Sequence, residues 1–355
     1  MAVSGFITPS VVRACGGGMV TTQAGTVGAN AQRIFLSVRG GNTDVVTQVG
    51  VPSTTADYGV LIPVPAEPTL DPTPVSMSDL DSLERKTAPT IVKAASDDSP
   101  SCGCPLPGGS SNKSAGGDSV QVSTPIAIGP VTAVTITADS GDAINAWLTQ
   151  NGFAIPPADR PIIDAYSGPG RFFIALRRND SGATGGATSV GVHFTLPGDQ
   201  RVLPLGFARL GAASTVAFTV VIAADDVVAP AAPYDALTID ALDGATVRAA
   251  GYAPAVAAAI TAHGGHAFVM EGSWLGSGIA ANIGGRIGSL IAPDSHVTRL
   301  SAILPSADLT GEVVFNQPHA AVKNIRTVEA TSPRSPFALC ALGLLFLRRR
   351  VRARP

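Results

Sequence analysis

The sequence predicts an α+β protein, with a mainly antiparallel sheet, a few short packed helices and a short hydrophobic C-terminal tail. Three observations lead there. Short runs rich in Val, Ile, Phe and Thr recur between turn residues, in clusters with occasional helical stretches and no strict alternation of strand and helix. The 355 residues are 45% apolar, enough for a substantial core, so disorder is not the default. Charged residues are only 14%, against roughly 25% in a typical soluble domain, which leaves the surface to Ser, Thr, Asn, Gly and Ala.

Arg33–Val38 and Asp44–Val51 read as two strands, joined as a hairpin through Gly40-Gly41-Asn42. Tyr58–Ile62 is a third strand, stopped by the prolines of PVPAEP. A helix over Ser78–Thr87 takes Ser78 as N-cap, turns Leu80 and Leu83 inward and ends at Pro89. Residues 94–118 (AASDDSPSCGCPLPGGSSNKSAGGD) have almost nothing to bury and read as an exposed low-complexity loop. Beyond it Val120–Ile128 and Val131–Ala138 are β-rich, and Asp139 or Ser140 caps a helix that buries Ile144, Trp147 and Leu148 and stops at Gly152. Pro161–Tyr166 adds a helical turn. Four strands follow, over Arg171–Arg178, Ser189–Leu196, Gln200–Leu210 and Ser214–Ala223. An alanine-rich helix (Pro254–Ala262), a strand (His266–Met270) and a short element (Asp294–Leu304) complete the body. The chain thus divides into a partial signal peptide (1–14), a strand-rich part (15–93), the loop (94–118), a main α+β body (119–330) and the tail (331–355).

The two ends carry the signal for location. Val12-Arg13-Ala14 before Cys15 resembles a small-x-small cleavage site, yet no basic residue precedes Arg13, so the opening reads as half of a signal peptide whose true start lies upstream. An ordinary chain terminus is the alternative. At the other end Phe337–Leu347 (FALCALGLLFL) is unbroken apolar sequence followed at once by RRRVRARP. Eleven residues rise about 16 Å as a helix, short of the roughly 30 Å hydrocarbon core, so the run is a poor permanent span. The arginine cluster, Arg348, Arg349 and Arg350 with Arg352 and Arg354, favours the cytoplasmic side. Without these five, 19 basic residues stand against 26 acidic ones, a body with no basic stripe for nucleic acid. With Cys340 inside the run, the arrangement resembles the sorting tails on surface proteins of myxobacteria and related bacteria. A buried C-terminal helix is the alternative here.

ACGGG (14–18), VLIPVPAEPTL (60–70), INAWLTQNGFAIPPADRPIIDAYSGPGRFFIALRR (144–178), VLPLGFARL (202–210) and HVTRLSAILPSADLTGEVVF (296–315) together resemble the bacterial domain of unknown function family 2330. The Trp-Leu-x-x-Asn-Gly-Phe block, followed by Ile-Pro and a Tyr, is the most specific of these. The resemblance implies an exported protein, often with such a sorting tail, and brings no established activity. The chain departs from the family pattern at Met19 and Val20, where a second early cysteine is common, and at Gly311-Glu312, which replaces an acidic and proline pair.

Candidate chemistry is sparse. His263-Gly264-Gly265-His266 with Glu271 has zinc-ligand residue types, but two glycines between the histidines fit a helix-to-strand turn better than the i, i+4 spacing of a helical site. For Cys102-Gly103-Cys104 three arrangements stay open in an oxidising compartment: a bridge from one of them to Cys15, a strained Cys102–Cys104 bridge, or free and intermolecular thiols. Gly276-Ser277-Gly278-Ile279-Ala280-Ala281 matches a dinucleotide fingerprint, but a strand directly before it and a surrounding βαβ unit are poorly met. There is no G-x-S-x-G elbow and no recognisable Ser-His-Asp set. No cofactor is implied. The expectation is a non-catalytic cell-envelope protein, in the periplasm or at the cell surface, membrane-associated through its tail. It would bind an envelope protein, a polymer or another copy of itself. The alternative is a metal-dependent hydrolase using His263, His266 and Glu271, or a thiol redox protein.

Overall fold

The computed structural model describes residues 12–13, 18–21, 29–51, 58–93, 120–153, 155–178 and 188–328. Outside these lie the rest of the expected signal peptide, Cys15, the loop 94–118 with Cys102 and Cys104, and the tail with Phe337, Cys340, Leu347, Arg348, Arg349 and Arg350.

In chain order the main elements are β1 (Ala29–Arg39), β2 (Asn42–Val51), β3 (Tyr58–Val64), α1 (Met77–Thr87), β4 (Val131–Thr137), α2 (Gly141–Gln150), α3 (Arg160–Ala165) and β5 (Phe172–Arg178). Then come β6 (Thr188–Pro197), β7 (Ala212–Ala224), β8 (Asp235–Thr238), α4 (Gly244–Ala249), α5 (Tyr252–Ala262), β9 (Ala267–Leu275), α6 (Gly276–Ile283), α7 (Gly285–Leu290) and β10 (His296–Pro305). The large sheet has the order β8-β9-β10-β7-β1-β2-β6, closed at one edge by Thr69–Leu70. The small sheet runs Gly18–Thr21, β3, β5, β4, Gln121–Val122. The fold is α+β, with mixed sheets: β7 pairs β1 in parallel, as β8 pairs β9, and the other ladders among β1 to β10 are antiparallel. Strands from before and after residues 94–118 share both sheets, as in β2 with β6 and β3 with β5.

Alternation along the strands sorts the core into layers. Ile34, Leu36 and Val45 of the large sheet meet Ile62, Ile174 and Leu176 of the small one. Phe35, Val46, Val221 and Val297 belong to the opposite cluster, with Leu80 and Leu83 of α1, Ile279 of α6 and Ile287 of α7. The small sheet's other face, Leu61, Ile136 and Phe173, packs on Ile144 and Leu148 of α2 and Ile163 of α3. Each of these fully buried side chains contributes roughly 1.5–3 kcal/mol of apolar transfer.

Local chemistry explains where elements start and stop. The β1–β2 hairpin closes on Gly40 (φ 57°) and Gly41 (φ 77°), both left-handed as a type I′ turn requires. Helix α2 is capped by Ser140, whose hydroxyl accepts from Ala143 N at 3.3 Å. It ends with Gly152 (φ 86°) donating to Thr149 O at 3.0 Å and Phe153 N to Leu148 O at 2.9 Å, a Schellman closure.

Several expectations need correction. Helix α1 starts one residue early, because Ser76, not Ser78, is extended and accepts from Asp79 N. The run 120–128 is two short strands, Gln121–Val122 and Ile126–Ile128, since Pro125 has no N–H to place in the ladder. Of 200–210 only Val202–Leu203 is a strand; Pro204 stops it, and Phe207–Arg209 is a 3₁₀ turn. Trp147 is half-buried where Ile144 and Leu148 are fully so. Asp294–Leu304 is no minor element: β10 lies between β9 and β7 inside the large sheet.

Candidate functional site

The residues singled out as metal ligands have separate partners. His263 follows α5 and sets its Nδ1 2.8 Å from Asp235 Oδ2. His266 leaves the Gly264–Gly265 turn (φ 65° and 79°) with its Nδ1 2.9 Å from Gly264 O and its ring 5.4 Å from that of Tyr234. Glu271, by contrast, is buried inside β9, where it accepts from Arg299 Nε, Ser301 Oγ and, at 2.7 Å, Tyr252 Oη. Among the described residues no group of three or more His, Cys, Asp and Glu side chains is gathered as a metal ion requires.

The glycine motif at 276–281 sits in a context the sequence concealed. Strand β9 runs directly into Gly276 and helix α6 begins there, so the strand that the motif requires is present. The next strand, β10, nevertheless returns antiparallel, with Trp274 opposite Val297, so no parallel βαβ unit surrounds the motif. A Cβ on Gly276 would stand 2.0 Å from Ala292 O, which gives this glycine a packing reason.

A polar cluster lies between the large sheet and its helical cover. His193 of β6 places Nε2 2.9 Å from Asp44 Oδ1 of β2 and Nδ1 3.1 Å from Asp71 Oδ2, and Asp71 also accepts from Arg286 of α7. Thr195 adds a hydrogen bond of 2.9 Å to Asp44. Burial works to raise the Asp44 carboxyl, but the hydrogen bonds from His193, Thr195 and Arg39 outweigh it and hold the group at about 2. For Asp71 burial is likewise outweighed, by Thr73 N–H, His193 and Arg286, and its pKa is lowered. With the His193 side chain only 6% exposed, the cluster fastens strands, the 71–79 stretch and α7 together and leaves little room for a ligand.

An accessible site forms instead where α3, the 3₁₀ turn 207–209 and the lip 309–312 meet around a cleft of about 390 Å³. Its walls come only from stretches 158–171, 206–209 and 309–312. These fall within three of the segments that carry the family resemblance. Pro204 O receives Phe207 N at 3.1 Å and Ala208 N at 3.3 Å, which turns the chain so that Phe207 is buried and Arg209 is exposed. Phe207 is fixed by the Tyr166 ring, edge-on at 5.3 Å, and by Phe173 at 5.7 Å. Gly206 must lack a side chain, because a Cβ there would lie 2.9 Å from Gly311 N and 3.1 Å from Tyr166 Oη. Gly311 O accepts from Gly206 N at 2.8 Å and Tyr166 Oη at 2.6 Å.

The electrostatics of the cleft follow from that frame. Arg171 Nη1 donates to Glu312 Oε1 at 2.9 Å. Burial, reinforced by the Glu312 charge and opposed by the Phe207 and Gly206 N–H groups and Arg171, pushes Tyr166 up to about 12, so it stays a protonated donor. Burial also raises Asp159, and Arg209 pulls it back. The Arg209 guanidinium has no hydrogen-bonding or ion-pair partner at contact distance among the described residues. Ala158, Pro161, Ile162 and Ala165, spaced i, i+3, i+4, i+7, supply an apolar wall. The lining offers donors from Arg171, Arg209, Tyr166 and Thr310, the Glu312 carboxylate and apolar surface, and contains no Ser, Cys or His.

Nothing within these segments marks, in sequence, that they converge. Arg171, Arg209 and Glu312 were signals available in a chain so poor in charge. Compared with known proteins, residues 9–304 match the model of a family described as an uncharacterized protein conserved in bacteria (DUF2330). The lip 309–312 lies beyond the match. No curated protein and no solved structure matches the chain.

Proposed function

We propose, from the premise that this chain belongs to the DUF2330 family of bacterial proteins, that it is an exported cell-envelope protein with a non-catalytic binding role, and that the cleft beside Tyr166 is where it binds. One observation carries the reading: segments far apart in the chain, each part of the family resemblance, meet at an open cleft that holds an apolar wall and a guanidinium with no hydrogen bond or ion pair at contact distance among the described residues. Support for the location comes from sequence alone, from the short apolar run Phe337–Leu347 and the arginines that follow it. On this reading the tail retains the protein at the membrane until it is sorted or processed.

The test is a photo-crosslinking residue in place of Ile162 in the full chain, expressed in the native organism and followed by fractionation. The expected result is a discrete adduct in the envelope fraction, absent when the same residue replaces exposed Thr261 on α5. Deletion of 337–355 should shift the protein from the membrane fraction to the soluble envelope fraction. A protein found in the cytoplasm, or adducts alike at both positions, defeats the reading.

A further inference from the structure

We propose that the cleft takes an aliphatic monocarboxylate, a single free carboxylate on an apolar body such as the C-terminal end of a peptide, with Arg209 as the group that receives the carboxylate. The inference rests on the cleft being a binding site, as argued above, and assigns its ligand chemistry.

Two guanidinium groups line the cleft, Arg171 and Arg209, with one carboxylate, Glu312 at the lip; Asp159, at the start of α3, is outside the lining but feels the charge of Arg209. Arg171 is committed to Glu312 at 2.9 Å. Arg209 is exposed and has no acceptor at contact distance among the described residues, although Asp159 is near enough to feel its charge. A guanidinium presents parallel N–H groups that match one carboxylate in a planar fork. A phosphate or polyanion brings more charge and must lie near the Glu312 carboxylate, a like-charge contact that one guanidinium cannot offset. With Arg171 paired to Glu312, one guanidinium at the cleft is left to receive one carboxylate, and the match is to a monoanion.

Shape selects the rest of the ligand. The wall at Ala158, Pro161, Ile162 and Ala165 has no polar side chain, and Leu309 stands among the lining residues of the lip. A volume of about 390 Å³ suits a small molecule or the last residues of a chain. The frame is set before binding, because Tyr166, Gly206 and Gly311 are already joined by hydrogen bonds of 2.6 and 2.8 Å.

The experiment uses the purified full chain and three probes, N-acetyl-leucine, N-acetyl-leucinamide and inorganic phosphate, titrated by ligand-observed NMR. N-acetyl-leucine should bind at least tenfold more tightly than its amide or phosphate. Arg209→Gln should lower the affinity for the acid at least tenfold and leave the amide unchanged, and Arg209→Lys should restore only part of the loss. Glu312→Gln, which removes a competing carboxylate, should tighten the acid several-fold. The exposed position of Arg209 keeps these variants folded, which an unchanged melting temperature verifies. Equal binding of acid and amide, preference for phosphate, or indifference to Arg209→Gln overturns the assignment. An Ile162 adduct in the envelope with no binding of the acid sinks the carboxylate chemistry alone, whereas loss of both sinks the binding cleft as well.

Discussion

The Asp44 carboxylate accepts a hydrogen bond from His193 Nε2 at 2.9 Å although the two residues are not opposite one another: in the β2–β6 ladder Asp44 faces Thr195 and His193 faces Val46. The contact is diagonal on one face of the sheet, so it fixes the register as well as the charge.

Asp44 should make stability depend on acid. Its pKa in the folded chain, about 2, is below the ordinary 3.8, so the stabilisation is complete above the ordinary value and lost as pH falls through about 2. Asp44→Asn should therefore cost about 2 kcal/mol near neutrality. Urea denaturation at pH 7 and pH 2.5 checks this, and a difference between parent and variant that does not shrink at the lower pH counts against it.

Arg299 joins two carboxylates under α1, donating to buried Glu271 and, at 2.6 Å, to the more exposed Glu84. Burial alone would lower its pKa; Glu271 and Glu84 raise it overall. Arg299→Met strands Glu271 with only the Tyr252 and Ser301 hydroxyls and should cost about 3–5 kcal/mol. Glu84→Gln should cost about 1 kcal/mol. Equal shifts in the urea midpoint for the two variants contradict this ordering.

Two glycines should respond to alanine with opposite signs. Gly206→Ala places a methyl against Gly311 N and Tyr166 Oη and should destabilise by roughly 1–3 kcal/mol while blunting cleft binding. Gly278→Ala, exposed in α6 with nothing within 4 Å, should stabilise by up to about 1 kcal/mol. Differential scanning calorimetry reads both, and shifts of the same sign refute the steric account.

Within α2, Leu148→Ala should cost about 2–5 kcal/mol, the range for a buried aliphatic side chain. Trp147 keeps part of its surface in solvent, so Trp147→Ala should cost about 2 kcal/mol, less than deletion of a fully buried ring. Thermal melts that place Trp147 above Leu148 reverse the assignment.

Elements with local causes were legible in the sequence. Gly40-Gly41 dictates a hairpin because two consecutive left-handed residues are nearly free of cost only for glycine, and Ser140 with Gly152 brackets α2 by capping alone. What depends on distant pairing was not. The parallel β7–β1 contact joins residues nearly two hundred positions apart, and nothing in either strand marks its neighbour. The cleft was hidden for the same reason, and also because VLPLGFARL alternates like a strand while Pro204 bends it into the turn that exposes Arg209. His193 in SVGVHFTL carried no sign of the two aspartates it meets.

One small ladder acquires a mechanical meaning. Thr90–Lys93 and Ile325–Val328 pair in parallel, with Ile325 opposite Thr90 and Val328 opposite Lys93, so the chain continues to residues 94 and 329 from the same end of the ribbon. Arg248 donates to Val328 O, and Arg326 to Ile239 O. A pull applied beyond residue 329 therefore travels along the strand, loading its backbone hydrogen bonds together in shear instead of peeling them one by one. The ribbon and its two arginine contacts couple whatever follows residue 328 to the layered core, and they must give way before tension reaches β10.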